Sequence, residues 1–314
     1  MQDIKETVDE YHIPVLYYET LDNLVINPDG VYVDCTLGGG GHSEGILKRL
    51  SPKGVLISID QDQQAIDYAK KRLEGYGNWK CFKNNFENIE TVIYMAGYDK
   101  VDGILMDIGV SSTQLDDAER GFSYRFDARL DMRMNTSAKI SAYEVVNTYE
   151  EGALSKILFE YGEERHARRI AKFICDSRKE KPIETTGDLV AIIKRAYPER
   201  ASKHPAKKTF QAIRIEVNKE LEVLENAINK AVDCLKVGGR LGIITFHSLE
   251  DRIVKTMFKD FSTDCICPPR LPVCICNNKA KVKLITKKPI IPSEDELTHN
   301  KRAHSSKLRV IERI

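Results

Sequence analysis

The sequence lacks any apolar run close to the roughly 20 residues that a membrane-spanning helix requires. Its first ten residues carry four acidic side chains and no apolar segment, so we expect no secretory signal. Without such a signal, eight cysteines in 314 residues favour reduced thiols or a metal site over a disulfide framework. These absences exclude the membrane, secreted and collagen-like classes, and we expect a globular, cytoplasmic protein.

The net charge of +1 conceals basic segments in an otherwise acidic chain. Residues 1–163 carry 16 basic and 28 acidic side chains, a net charge of −12. Residues 164–214 carry 14 and 6, a net of +8, and residues 279–314 carry 10 and 4, a net of +6. Such segments are typical either of a surface that meets a polyanion or of solvated helix faces, and charge alone does not decide between them.

Apolar strands alternate with amphipathic helices over the first 107 residues. The pattern predicts strands at 31–35, 54–59, 79–83 and 101–107, with helices at 42–50, 64–73 and 86–96. Between 113 and 210 only helical periodicity is found. The later pattern predicts a helix at 213–235, a strand at 240–246, a helix at 249–258 and a hairpin of strands at 281–286 and 307–312.

This order of elements predicts the fold class. Alternating strands and helices indicate an α/β fold with a doubly wound, mostly parallel sheet covered on both faces. We assign the sheet to a first domain formed by residues 1–112 and 211–314. Residues 113–210 are predicted to form an inserted, all-helical domain.

Four consecutive glycines, 38–41, lie between the first strand and the first helix. Glycine lets the backbone approach a ligand closely and adopt positive φ, at an entropic cost. Asp60 follows 20 residues after Gly40, at the end of the next strand, where an acidic side chain accepts hydrogen bonds from ribose hydroxyls. The pair indicates a nucleoside site, the alternative being a plain turn and an unrelated strand-end aspartate.

The residues of the glycine loop limit which class of ligand it can bind. Ser43 stands where the dinucleotide-binding pattern needs its third glycine, and no lysine completes a phosphate-binding loop. A ligand without phosphates fits better, and S-adenosylmethionine is one. Phe86, after the third strand, could stack on adenine, and Asp107, at the end of the fourth strand, lies where the methyl acceptor is expected.

Several strings together resemble the MraW (RsmH) family of bacterial 16S rRNA (cytosine-N4-)-methyltransferases. The resemblance covers residues 11–312. It rests on HIPVL (12–16), DCTLGGGGHS (34–43), DQDQQAI (60–66), DGILMDIGVSSTQLDDAERGFS (102–123), LDMRM (130–134), YGEER (161–165), TFQAIR (209–214), FHSLEDR (246–252) and RAHSSKLR (302–309).

The resemblance implies methyl transfer from S-adenosylmethionine to N4 of a cytidine in the decoding region of 16S rRNA, within the small ribosomal subunit. It also implies a class I S-adenosylmethionine-dependent methyltransferase domain with an inserted helical domain that recognises RNA. No membrane partner is expected, and a homodimer stays open. The cofactor contacts that it implies are Gly40, Gly41, His42, Asp60, Phe86, Asp107 and Gln114.

The catalytic groups are less clearly marked. Many amino-methyltransferases carry an (Asp/Asn/Ser)-Pro-Pro-aromatic tetrapeptide after the fourth strand, whereas this chain has DIGV at 107–110. Asp107 and His247, which follows the strand at 240–246, are our catalytic candidates, His247 as a proton acceptor. Alternatively His247 only braces a helix that a Ser248–Asp251 capping box would open. An aromatic side chain could stack on the target base, the candidates being Phe122, Tyr124 and Phe126.

Basic side chains with helical spacing are the candidates for RNA phosphate contacts. They are Arg165, Arg168, Arg169 and Lys172, followed by Lys203, Lys207 and Lys208, with a possible addition from Lys301, Arg302, Lys307 and Arg309.

Two C-x-C pairs, Cys265 with Cys267 and Cys274 with Cys276, frame a proline-rich segment. Four paired thiols can form a zinc site, but zinc pairs usually have C-x-x-C spacing, and the catalysis needs no metal. We therefore assign no metal to the catalytic site and leave a structural metal open.

Other functions compete with RNA methylation. The same fold serves small-molecule and protein methyltransferases, and a non-catalytic RNA-binding assembly factor could keep a nucleoside pocket. The basic segment disfavours a small-molecule acceptor, and the combination of the glycine loop with Asp60 and Asp107 disfavours an inactive protein. Ser43 disfavours an NAD oxidoreductase.

Overall fold

The computed structural model describes residues 14–109, 117–197, 204–267, 275–276 and 278–314. Within them the chain forms two compact units, one from residues 1–109 with 221–314 and the other from residues 110–220. No described helix is both long and apolar enough to cross a membrane.

A seven-stranded sheet organises the first unit, in the order β3-β2-β1-β4-β5-β7-β6. Strands β1 to β5 are parallel, and β7 runs antiparallel between β5 and β6. The α/β class with a mostly parallel sheet and a late hairpin is thus confirmed. The strands are β1 (Val31–Asp34), β2 (Val55–Asp60), β3 (Trp79–Lys83), β4 (Val101–Asp107), β5 (Leu235–Thr245), β6 (Val282–Leu284) and β7 (Lys307–Arg313).

Helices cover both faces of the sheet. Alternate residues of a strand point to opposite faces, and here both faces carry apolar side chains that pack against helices. Val33, Ile57 and Ile104 lie in the core on one face, whereas their neighbours Tyr32 and Leu56 lie in the core on the other. The described helices of this unit are α1 (Tyr17–Leu24), α2 (Gly41–Arg49), α3 (Gln63–Arg72), α4 (Ile89–Met95), α10 (Glu220–Cys234, which belongs to this unit from Leu221 onward), α11 (Ser248–Phe261) and α12 (Glu294–His299).

The second unit has its own apolar core, and its described residues contain helices and one isolated β-bridge, Arg129 with Thr185. Capping boxes begin two of the helices, with Ser141 at α5 and Thr185 at α8. The helices are α5 (Ala142–Thr148), α6 (Glu151–Glu160), α7 (Ala167–Glu180), α8 (Thr186–Arg195) and α9 (Ala206–Asn218).

The prediction of a single helix at 213–235 is wrong, because the chain forms two helices there. Lys219 adopts a left-handed conformation with φ of 52°, so α9 ends at Asn218 and the next helix begins at Glu220. Phe210, Ile213 and Val217 of α9 are buried in the core of the second unit. The boundary between the units therefore falls at 220/221, ten residues later than our sequence boundary at 210/211.

The helix expected at 86–96 also differs. It begins with a 3₁₀ turn at Phe86–Asn88 and becomes α-helical at Ile89. The Asn85 side chain accepts a hydrogen bond from the Glu87 amide, which starts the turn.

Candidate active site at the carboxyl edge of the sheet

The loop after β1 is organised around the buried carboxylate of Asp34. This side chain accepts hydrogen bonds from the Thr36 amide at 3.1 Å and from Ser43 Oγ at 2.7 Å. Thr36 Oγ1 in turn accepts the Asp107 amide at 2.7 Å. We did not select Asp34, Thr36 or Ser43 as organising residues, although the polar positions around the glycines were a visible signal.

Two of the glycines have distinct local reasons. Gly40 has φ of 76°, a conformation that favours glycine, and it precedes the first turn of α2. A Cβ on Gly41 would lie 2.4 Å from Pro14 Cγ, so only glycine fits there without a shift. The glycine loop is therefore closely packed and continues directly into the N-terminus of α2.

Asp60 connects this loop to the end of β2. Its Oδ2 accepts the Gly38 amide at 2.9 Å and its Oδ1 accepts the Asp62 amide at 2.9 Å. A carboxylate has about four lone-pair sites, so each oxygen keeps capacity for another donor. Burial raises the pKa of Asp60 to about 6, against the opposing effect of the two amide hydrogen bonds.

The buried His42 and the partly buried Asp107 form a pair across the loop. His42 Nε2 lies 3.0 Å from the Val15 carbonyl oxygen, which only accepts, so Nε2 carries a hydrogen. Nδ1 lies 3.5 Å from Asp107 Oδ2. Burial alone would lower the pKa of His42, but the hydrogen bond and negative charge of Asp107 outweigh it and raise that pKa. Asp107 therefore stabilises the protonated form of His42.

The other oxygen of Asp107 is available to a ligand. Among the described residues, Oδ1 is buried and has no hydrogen-bond partner. A buried acceptor without a donor is costly, and this one lies at a strand end where ligands bind in open α/β sheets.

Phe86 and Gln114 are the remaining cofactor candidates. Phe86 is half-buried and packs against the core on one face of the sheet. That position explains the side chain structurally and leaves part of it exposed for stacking. Gln114 lies outside the described residues.

His247 caps helix α11. Its Nδ1 lies 3.4 Å from the Glu250 amide, and its Nε2 lies 2.9 Å from Glu250 Oε1. Glu250 completes the capping box by accepting the His247 amide at 3.2 Å. The box expected from Ser248 and Asp251 is wrong, because the helix begins one residue earlier than that pair requires.

Asp251 instead holds two basic residues of β7. It accepts Arg309 Nε at 2.8 Å and Lys307 Nζ at 2.9 Å. Burial alone would raise the pKa of Asp251, but these cations lower it. Arg309 is 8% exposed, so our expectation that Arg309 adds to an RNA surface is wrong. Lys301 and Arg302 remain exposed.

We expect Asp251→Ala to destabilise the fold by about 3 kcal/mol, because it leaves the buried Arg309 charge unpaired. Urea unfolding at neutral pH measures this. Asp22→Ala is the matched control, since Asp22 is 65% exposed in its pair with Arg49 and should cost about 0–1 kcal/mol. Equal losses in the two variants would contradict the assignment.

The candidate phosphate-binding side chains of the second unit are exposed. Arg168, Arg169 and Lys172 lie on α7, Lys207 and Lys208 lie on α9, and Arg165 precedes α7. Lys203 lies outside the described residues.

Local contacts constrain some of these cations and the aromatic candidates. Arg169 lies over the Phe173 ring, 5.4 Å from its centroid. Phe122 is buried in the core, Tyr124 stacks on His204 at a centroid distance of 4.4 Å, and Phe126 is 49% exposed. Of the three aromatics, Phe126 is the most accessible to a base.

The set of carboxylate acceptors at this edge fits S-adenosylmethionine. Asp34, Asp60 and Asp107 end three adjacent strands, which gives the edge a negative character. This cofactor carries a sulfonium, an ammonium and ribose hydroxyls, all of which match carboxylate acceptors. A pyrophosphate would meet repulsion there.

The strand order and this edge define a class I S-adenosylmethionine-dependent methyltransferase. A sequence model of the MraW methylase family matches residues 9–314, and the chain belongs to that family. A Fusobacterium nucleatum protein named ribosomal RNA small subunit methyltransferase H is 75% identical over 307 residues, 98% of each chain. Proteins of that name from Clostridium botulinum and Clostridioides difficile are 59% and 56% identical, over 96% and 97% of this chain and 99% of theirs.

Proposed function

We propose that this methyltransferase methylates the N4 amine of a cytidine in the decoding region of 16S rRNA, in the cytoplasm. Relatives covering nearly the whole chain are named small-subunit rRNA methyltransferases. The observation that carries the chemistry is the buried Asp107 Oδ1 at the end of β4, an acceptor without a donor among the described residues.

The geometry of the loop supports the cofactor roles that we propose for its residues. Asp60 accepts the ribose hydroxyls through the lone pairs that Gly38 and Asp62 leave available. Gly40, Gly41 and His42 would line the methionine part of the cofactor, and Asp107 lies beside His42, with its Oδ2 3.5 Å from His42 Nδ1. Phe86 stacks on the adenine with its exposed part, and Gln114 is assigned by family resemblance alone.

The cytosine amine is a poor nucleophile because its lone pair is delocalised into the ring. When bound, S-adenosylmethionine supplies an electrophilic methyl group. The protein must orient the amine and accept its hydrogens as positive charge develops on nitrogen. Asp107 orients the amine and accepts its hydrogen through Oδ1, while the other oxygen, Oδ2, contacts His42. His247 acts as the cap that positions the end of β5, because its ring nitrogens face Glu250.

Phosphate binding is assigned to the exposed cations of the second unit. These side chains position RNA without reading its sequence. The set is Arg165, Arg168, Arg169, Lys207 and Lys208, with Lys203 added from the sequence.

The decisive experiment is methyl transfer from labelled S-adenosylmethionine to small ribosomal subunits from cells lacking this protein. Digestion and nucleoside analysis should identify labelled N4-methylcytidine. Another labelled nucleoside would contradict the N4 assignment. No label, with cofactor binding intact, would favour a protein or small-molecule acceptor, or a binding role.

Replacing Lys207 and Lys208 together by alanine should weaken RNA binding and make its salt dependence shallower. Two lost phosphate contacts reduce the slope of log K against log salt by about 1.4–1.8. Filter binding across a salt series measures this, with cofactor affinity unchanged. Lys287 and Lys288, an exposed adjacent pair in the first unit, provide the matched double-alanine control. An unaltered slope would remove Lys207 and Lys208 from the RNA surface.

A further inference from the structure

Three cysteine thiols converge in the connection between α11 and β6. The sulfur atoms of Cys265, Cys267 and Cys276 all lie within 4.8 Å of one another. Two of these residues form the first C-x-C pair and the third belongs to the second pair. Cys274, the remaining member, lies outside the described residues. The fold therefore brings one cysteine of the second pair to both cysteines of the first pair, which sequence spacing alone did not establish.

The sulfur separation distinguishes a metal site from a disulfide. Cys265 Sγ and Cys276 Sγ are 3.8 Å apart. A disulfide requires about 2.05 Å. Thiolates placed tetrahedrally at about 2.3 Å from zinc are separated by about 3.8 Å along each edge. The distance therefore matches two ligands of one tetrahedral ion.

Backbone amides are aimed at the sulfurs in a reciprocal pattern. The Ile266 amide, from the middle of the first pair, donates to Cys276 Sγ at 3.5 Å. The Ile275 amide, from the middle of the second pair, donates to Cys267 Sγ at 3.4 Å. Amide donors stabilise a negatively charged acceptor, and the thiolate is the form of cysteine that binds metal.

The described apolar side chains between the paired cysteines are not packed into a core. Ile266 is 68% exposed and Ile275 is 75% exposed, so the middle residue of each pair faces solvent. The two ends of the connection, which form its base, are nevertheless hydrogen-bonded to each other. The Lys281 amide donates to the Phe261 carbonyl at 2.8 Å, and the Ala280 amide donates to Asp264 at 3.2 Å. Among the described residues beyond this base, the three thiols are close enough together to cross-link the connection.

The position of the cluster indicates a structural role. Helix α11 begins at the carboxyl edge of the sheet and has 14 residues, so it carries the chain about 21 Å away. The thiols follow its end, remote from Asp107 at the end of β4. An ion there would fasten the connection into β6 without taking part in methyl transfer.

We propose that Cys265, Cys267 and Cys276 bind a structural zinc ion. Each thiol gives up its proton to solvent on binding, and the resulting thiolates occupy three tetrahedral positions. Soft thiolate ligands suit zinc, and structural zinc sites contribute directly to folding.

The test is the metal content of the full-length protein, purified under reducing conditions without chelator from zinc-supplemented medium. Mass spectrometry of the metals should find one equivalent of zinc, and a mercurial reagent should release it. Cys276→Ser should lose the zinc. Cys81→Ser, a half-buried thiol of β3 outside the cluster, should retain it.

Cobalt substitution keeps the proposal testable if Cys276→Ser fails to fold. The wild-type protein loaded with Co²⁺ should show a thiolate-to-cobalt charge-transfer band and the intense visible bands of tetrahedral cobalt. No bound zinc and no such bands, iron or copper in place of zinc, or undiminished zinc in folded Cys276→Ser would each overturn the proposal. These readouts do not depend on methylation of RNA, so the two proposals can fail separately.

Discussion

We expect Asp107→Ala to lower the rate of methyl transfer by about 100- to 1,000-fold at saturating cofactor, the range found when one preorganised group that stabilises developing charge is removed. Asp107 Oδ1 is buried and has no partner among the described residues, while Oδ2 faces His42. The free oxygen is thus placed to accept an amine hydrogen.

Asp107→Asn separates the charge of this residue from its shape. The amide can present one oxygen to the amine and its NH₂ group to His42 Nδ1, but it carries no negative charge. We expect a smaller loss of rate than with alanine. Single-turnover kinetics measures the rate, and calorimetry measures cofactor affinity separately.

Asp99→Asn is the control, because Asp99 is an exposed carboxylate before β4. An undiminished single-turnover rate in Asp107→Ala would place the hydrogen acceptor elsewhere. Loss of cofactor affinity alone, with the rate restored at saturation, would assign Asp107 to binding only.

Asp60→Ala should weaken S-adenosylmethionine binding by about 1.5–3 kcal/mol, or roughly 10- to 150-fold, because it removes hydrogen bonds to a charged acceptor. Calorimetric titration measures this loss. The variant also removes the acceptor of the Gly38 and Asp62 amides, so circular dichroism and urea unfolding must accompany the titration.

The pH dependence of binding identifies the ribose acceptor without disturbing the loop. Burial raises the pKa of Asp60 to about 6, and the ribose hydroxyls require the ionised form as acceptor. Binding therefore lowers this pKa and releases a proton below pH 6. Wild-type affinity should fall as pH drops through 6, by up to about tenfold per pH unit.

Asp60→Asn should lose this part of the pH dependence while keeping the contribution of His42, whose pKa is raised above its usual value. The difference between the two profiles isolates Asp60. Profiles that run parallel from pH 7.5 to 5 would show that the Asp60 carboxylate does not contact the cofactor.

The sequence predicted the bounds of some strands closely and of others less well, since β5 begins at Leu235, five residues before its expected start, and β6 covers only Val282–Leu284 of the expected 281–286. The end of β4 at Asp107 and the bounds of β3 agree, because short apolar runs between polar turns have few alternative arrangements. The break at Lys219 could not be predicted, because lysine favours helices and its left-handed conformation is not encoded in local propensity.

Side-chain partners were the hardest feature to predict. Asp251 has the type and position of a helix cap, yet Lys307 and Arg309, which lie 56 and 58 residues later on a strand, bind it instead. His247 became the cap because the helix begins one residue earlier. Such competition is decided by which long-range partner the fold brings within reach.

By itself, the sequence determined the alternation of strands and helices, the glycine loop, and the position of Asp60 and Asp107 at strand ends. Those features depend on local spacing, which the backbone geometry of helices and strands imposes. Only the tertiary structure decided that Asp34, Asp60 and Asp107 share one edge, that one oxygen of Asp107 has no donor among the described residues, and that cysteines from two pairs meet. Those features depend on strand order and on contacts between residues remote in sequence, which local propensity does not encode.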